Sequence, residues 1–247
     1  MQNTNFNLIV TEDYDDLSKR CAGIMLGCVR EKSDPVICLA TGHSPLGAYR
    51  CFVAEAIKNK IDLSKVVFVK LDEWYGLGMD DPATCEYFIS NEMLKPLGIS
   101  PKNYIGFNST AEDPEMECLR ITSELEKRGP IDLMILGIGR NGHLGLNEPC
   151  EELVPSIHVA VLDKKTKGHQ MLKSVSRPIE AGLTLGMRDI LSSKHVVFLV
   201  AGEEKVDAFT EFMRGGVTTT VPASFLRLHK NLSCVVEKSI AVAAAEK

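Results

Sequence analysis

The sequence predicts an α/β protein: a Rossmann-like, mostly parallel sheet with helices on both faces. Three observations point to it. Short runs of Val, Ile, Leu and Phe alternate with longer amphipathic stretches along the chain. These runs are nearly continuous in apolar residues, as strands covered on both faces must be. No internal repeat and no Pro/Gly/Ser-rich linker interrupts the 247 residues, so one domain over 1–247 is expected.

The elements follow in order. A strand over Asn7 to Thr11 precedes an amphipathic helix over Tyr14 to Lys32. A strand over Pro35 to Ala40, a helix over Pro45 to Asn59 and a strand over Val66 to Leu71 come next. Helices are predicted over Thr84 to Leu94 and Asp113 to Lys127, and a strand over Ile131 to Leu136. The chain closes with strand Val196 to Ala201, helix Glu203 to Arg214 and strand Leu232 to Val236. Each strand is bounded by polar or Gly punctuation.

Composition excludes several classes. Hydrophobic residues make up 45% of the chain, enough for a substantial core, and its net charge of -5 offers no basic face for nucleic acid. No stretch approaches the ~20 apolar residues of a membrane span. Met1-Gln2-Asn3-Thr4-Asn5 lacks the features of a secretory leader, so a cytoplasmic protein is expected. Eight cysteines (Cys21, Cys28, Cys38, Cys51, Cys85, Cys118, Cys150 and Cys234) form no C-x-x-C pair. They read as reduced, mostly buried thiols behaving as small hydrophobes, and Cys28 and Cys38 receive no functional role. No His/Cys/Asp/Glu cluster has metal-ligand spacing, so no metal is expected.

In such sheets ligands bind beyond the carboxyl ends of the strands, so the segments that follow strands matter most. The first candidate is Thr41-Gly42-His43-Ser44-Pro45. Gly42 permits a positive φ, Ser44 is a good N-cap and Pro45 suits a first helical position. A helix start also suits an anion; the plain alternative is an ordinary capped turn. The second is Leu71-Asp72-Glu73-Trp74, adjacent acids beside the chain's one Trp. Neighbours in a strand point to opposite faces, so one acid is a candidate base and the other a partner for a Lys or the backbone. Desolvation would raise the base toward the range that suits proton abstraction from carbon.

The third candidate is Leu136-Gly137-Ile138-Gly139-Arg140-Asn141-Gly142-His143-Leu144-Gly145-Leu146-Asn147-Glu148-Pro149. Gly137, Gly139 and Gly142 allow close approach to a ligand, and Glu148 can orient the His143 imidazole for proton transfer. A dinucleotide site is excluded, because that loop belongs after the first strand with an acid about 20 residues further on. Lys205 opens a helix and could reach an anion, although a solvated lysine fits as well. Lys164-Lys165-Thr166-Lys167 reads as a solvated face, and Pro222-Ala223-Ser224 carries no evident chemistry.

Together Ala40-Thr41-Gly42-x-Ser44-Pro45, Leu71-Asp72-Glu73-Trp74, Gly137-Ile138-Gly139-x-Asn141-Gly142-His143, Asn147-Glu148-Pro149 and Pro222-Ala223-Ser224 resemble the glucosamine/galactosamine-6-phosphate isomerase (deaminase) family. The chain is more distantly similar to 6-phosphogluconolactonases. The resemblance implies aldose–ketose isomerisation with release of ammonia from a small-molecule sugar phosphate, without a cofactor. It implies Asp72 as the proton-shuttling base, His143 as the ring-opening group and Glu148 as its partner. Thr41, Gly42, His43, Ser44 and Lys205 would form the phosphate site. Relatives range from small assemblies to hexamers, so a homo-oligomer fits the family.

Two departures stand out. Glucosamine-6-phosphate deaminases usually have Asp where this chain has Asn141, which hydrogen-bonds without adding a charge. The usual phosphate-site Arg has no clean match, although Lys173 and Arg177 lie nearby in sequence. Glu151, His158, Ala160 and Val161 do not reproduce the allosteric set of some deaminases, so no such activation is expected. The forms of the two site motifs are most similar to the galactosamine 6-phosphate branch, which makes tagatose 6-phosphate the expected product. A lactonase and a non-catalytic sugar-phosphate sensor are the alternatives. The lactonases tend to have Arg in place of Trp74 and lack the Asn-Glu-Pro ending. A sensor would need a DNA-binding module for which one domain leaves no room.

Overall fold

A computed structural model describes residues 6–247; the first five residues, read above for leader features, lie outside that range. Seven parallel strands form the central sheet, in the order β1-β10-β9-β6-β2-β3-β5. Their ranges are β1 Asn7–Thr11, β2 Val36–Leu39, β3 Val67–Lys70, β5 Tyr104–Ile105, β6 Leu133–Leu136, β9 Val196–Val200 and β10 Leu232–Glu237. All the expected strands are present, most trimmed by a residue or two. The two-residue β5 is an addition, too short to leave a periodic signal.

Strand alternation splits the core between the two faces. Cys38, Val69, Leu136, Phe198 and Cys234 pack on one face beneath helices α4 (Pro114–Arg128), α6 (Met187–Ser192), α7 (Val206–Arg214) and α8 (Lys238–Glu246). Ile37, Leu39, Phe68, Ile135 and Leu199 pack on the other, beneath α1 (Tyr14–Glu31) and α2 (His43–Lys58). Helix starts follow from local chemistry. Asp13 caps α1 by accepting from Asp16 N at 2.8 Å. Asp113 accepts from Glu115 N and Met116 N, with Pro114 opening α4.

A second, antiparallel sheet of β4 (Asp72–Trp74), β8 (Ala181–Thr184) and β7 (His158–Val161) leaves the main sheet at Leu71. Sequence reading missed it because its strands are short and punctuated by charged and small residues. Its own apolar cluster joins Trp74, Leu77, Cys85, Leu146, Ala160, Leu162 and Leu172. No helix among the described residues is long and apolar enough to cross a membrane.

Candidate active site at the carboxyl ends of the central strands

From β2 the chain winds outward to β3 and β5; from β6 it winds the other way, to β9 and β10. The adjacent β2 and β6 therefore form a topological switch point, the place beyond whose strand ends sheets of this kind bind their ligands. The segments following the neighbouring strands β9, β6, β2 and β3 carry Lys205, His143, Thr41–Ser44 and Asp72. Residues scattered over the sequence thus meet at one edge.

Alternation in β4 separates the adjacent acids. Glu73 is fully buried and saturated. Its Oε1 accepts from Trp74 N and Cys85 N at 2.8 and 2.9 Å. Its Oε2 accepts from Lys70 Nζ and Glu86 N, both at 2.8 Å. Lys70, equally buried, also donates to Glu86 Oε2 and to the Phe107 carbonyl at 2.7 and 2.9 Å. Glu73 is therefore structural, anchoring the first turn of α3 (Cys85–Ile89). Asp72 is the half-buried member. Burial pushes its carboxyl up to about 7, Glu73 adds to the rise, and His143, Lys70 and Cys85 oppose it. Trp74 buries its ring beside His169, centroids 5.6 Å apart.

His143 lies in an irregular loop. Gly142 N donates to Gly139 O at 3.0 Å, and Gly142 takes φ +86°, so the chain reverses tightly there. Ala223 N bonds the Gly142 carbonyl at 2.8 Å, which gives the 222–224 segment a bracing role. Nδ1 of His143 lies 3.1 Å from both Glu148 Oε2 and Thr166 Oγ1. Asn141 accepts from His143 N at 3.3 Å and donates to Glu148 Oε2 at 2.8 Å. Burial pushes Glu148 up, but the bonds and charge of His143, with Thr166 and Asn141, hold it below the usual range. With Nδ1 engaged, Nε2 is the ring nitrogen left to meet a substrate.

Thr166 corrects the reading of the 164–167 run as a solvated face. Lys164 and Lys165 are exposed, but Thr166 is buried against His143. It sits in α5 (Lys164–Lys167), and no signal in the basic run marked it.

The expected cap at Ser44 also needs correction. Helix α2 begins at His43, with Gly42 as its cap residue at φ +112° and no side-chain cap. Ser44 lies within the first turn, buried beside Gly137. The helix start has no acidic residue, so its amides and dipole remain available to an anion. The His43 ring stacks on Tyr14 at 4.6 Å.

Lys205 ends a short 3-10 turn before α7 and forms no ion pair among the described residues. Burial lowers it, Glu204 opposes this and Arg140 adds to it. His169 is lowered to about 4 by burial, Lys205, His143 and Arg140, so these groups share one region. Arg140 is therefore the second cation beside Lys205, a position that sequence reasoning passed over. Lys173 and Arg177 are exposed, and the Arg177 guanidinium bonds the Gly76 carbonyl.

The family model for glucosamine-6-phosphate isomerases/6-phosphogluconolactonase matches residues 11–235. The chain is 45% identical to the Escherichia coli (strain K12) protein named "Putative deaminase AgaI", over 91% of this chain and 89% of that one. It is 37% identical to a Thermoanaerobacter sp. (strain X514) glucosamine-6-phosphate deaminase, over 95% and 93%. A solved monomeric glucosamine-6-phosphate deaminase superposes with a TM-score of 0.92 at 30% identity, over 96% of this chain and 100% of that one. A 6-phosphogluconolactonase from Thermotoga maritima shares the fold, with a TM-score of 0.73 at 22% identity over 94% and 99%. Since the matched span takes in every strand end that bears a site residue, the chain belongs to the glucosamine-6-phosphate isomerase/6-phosphogluconolactonase family.

Proposed function

We propose that the protein is an amino-sugar 6-phosphate deaminase-isomerase that acts on galactosamine 6-phosphate ahead of glucosamine 6-phosphate. One observation carries the reading. A carboxyl raised to about 7, Asp72, shares the strand-end site with an imidazole backed by a carboxylate, His143–Glu148. The uncapped start of α2 and Lys205, which forms no ion pair among the described residues, lie at the same strand ends.

The phosphate sits on the 41–44 turn and Lys205. His143 takes the proton from the C1 hydroxyl and returns one to the ring oxygen, breaking the C1–O5 bond. Glu148 stabilises the imidazolium formed in between, and Asn141 holds that carboxylate without adding charge. Asp72 removes the C2 proton; the C–H electrons form the C1–C2 double bond of an enolamine while the C1=O π pair moves onto O1, which takes a proton from solvent. Asp72 then returns the proton to C1, leaving an imine at C2. Water adds, ammonia leaves, and a ketose 6-phosphate remains. No external oxidant or reductant enters the balance.

The galacto preference is supported by the forms of the 71–74 and 141–149 segments. The test is incubation with each epimer, with ammonia and ketose measured. Faster release from galactosamine 6-phosphate is the expected result. Ammonia from neither, with 6-phosphogluconolactone hydrolysed instead, overturns the reading; faster release from the gluco epimer overturns only the preference.

A further inference from the structure

Cys85 occupies the first position of α3, fully enclosed, with its backbone amide on Glu73 Oε1. Its Sγ lies 3.8 Å from Asp72 Oδ1 and receives the Thr41 hydroxyl at 3.2 Å. Among the described residues the thiol is the only hydrogen-bond partner of the Asp72 carboxyl. Thr41 belongs to the anion-binding turn, so one sulfur atom links that turn to the base.

We propose that Cys85 is a positioning residue for Asp72, its S–H holding Oδ1 while the Thr41 hydroxyl fixes the direction of the thiol. This rests on Asp72 being the base in the function proposed above. The choice of sulfur has a chemical logic. A shuttling base must release its proton as readily as it takes it. A strong donor would favour the carboxylate and weaken the base, whereas S–H orients the oxygen with little cost in basicity. Burial pushes the thiol well up, so it stays protonated and available as a donor. The other groups facing Asp72 are Glu73 on its own strand, Lys70 on β3 and His143 on the loop after β6. Cys38 on β2 and Tyr49 on α2 lie beneath it, both raised by burial and therefore neutral.

The test uses Cys85→Ala, Cys85→Ser and, as a control away from the site, Cys51→Ala. The Asp72 carboxyl is titrated in the substrate-free protein by infrared difference spectroscopy against Asp72→Asn. Loss of the donor in Cys85→Ala raises the titration midpoint by about 0.5 on the pH scale, since a hydrogen bond to the charged form is removed. Cys85→Ser restores a donor, a stronger one, and brings the midpoint back to the parent value or below it; Cys51→Ala leaves it in place. In parallel, C2 proton exchange on the amino-sugar phosphate falls about 3- to 10-fold in Cys85→Ala, mostly in kcat, as expected of a misplaced base. An unmoved midpoint in Cys85→Ala overturns the proposal, and so does a shift that Ser fails to reverse. Absence of turnover in the parent protein overturns the function instead, while the titration still decides the role of Cys85.

Discussion

A Cβ on Gly139 would fall 2.3 Å from the Cδ2 and Nε2 atoms of His143. The imidazole thus occupies the volume that glycine leaves, and Gly139 belongs to the geometry of the acid–base pair. Gly139→Ala is expected to drive the ring off its Glu148 contact. A displacement of about 1 Å costs on the order of 100-fold in rate. Ammonia release measured beside a thermal melt checks this: full activity in a folded variant would show that the ring does not act from this position.

As the proposed base, Asp72 should set the pH dependence. The base acts as its carboxylate, and burial holds the carboxyl up to about 7. Solvent hydrogen exchange at C2 should therefore climb as pH rises toward 7 and level off above it. The same shift costs stability. The folded state holds this proton more tightly than the unfolded chain, so stability falls as pH rises from the ordinary carboxylate range through 7. Asp72→Asn mimics the protonated form. It should abolish exchange yet stabilise the fold at pH 8 by on the order of 2 kcal/mol, discounted for partial exposure, with no gain at pH 4. Equal stability of the two proteins at pH 8 would contradict the raised value.

Why some of this was legible and some was not follows from range. Strand alternation alone anticipated that Asp72 and Glu73 would part, and the structure puts Glu73 on Lys70 and three backbone amides. The Gly139–Glu148 loop was legible because its partners lie within a few residues of one another. Thr166 and Cys85 were not, since both reach the site only when distant segments fold together. The 164–167 run hid Thr166 among lysines, and Cys85 looked like any small core residue. Ser44 was misassigned for a local reason: Gly42 adopts the φ that lets the helix start earlier, taking Ser44 into its first turn.

Lys70 holds a fully buried carboxylate, Glu73, and a partly buried one, Glu86, together. It contacts Glu73 and Glu86 at 2.8 and 2.7 Å, with no side-chain exposure of its own. Lys70→Met removes the ammonium and leaves both acids uncompensated, which costs about 3–5 kcal/mol. One of them should then take up a proton, so the loss is greater at pH 8 than at pH 5. Because Lys70 also pulls Asp72 down, the exchange profile moves to higher pH in the same variant. Urea denaturation at the two pH values measures the first effect. A variant as stable as the parent at pH 8 would mean that the network is already neutral.

Lys205 offers the sharpest separation of binding from chemistry. Its ammonium is partly buried, Glu204 only partly offsets that without an ion pair among the described residues, and Arg140 depresses it further. A phosphate dianion would relieve both penalties, so the site is poorer in energy empty than filled. Lys205→Ala should raise KM by about 10- to 100-fold, the range of a lost hydrogen bond between charged groups, with a smaller change in kcat. Arg140 is exposed, so Arg140→Ala should raise KM only a few-fold, and less at high salt, where screening already weakens it. Lys173→Ala should leave KM unchanged. Inorganic phosphate should raise the melting temperature of the parent by mass action and do so less in Lys205→Ala. Were the amides of the 41–44 turn to bind the phosphate alone, Lys205→Ala would keep both the parent KM and the full phosphate stabilisation. Paired measurements of KM and melting temperature therefore decide whether this half-buried cation is part of the anion site.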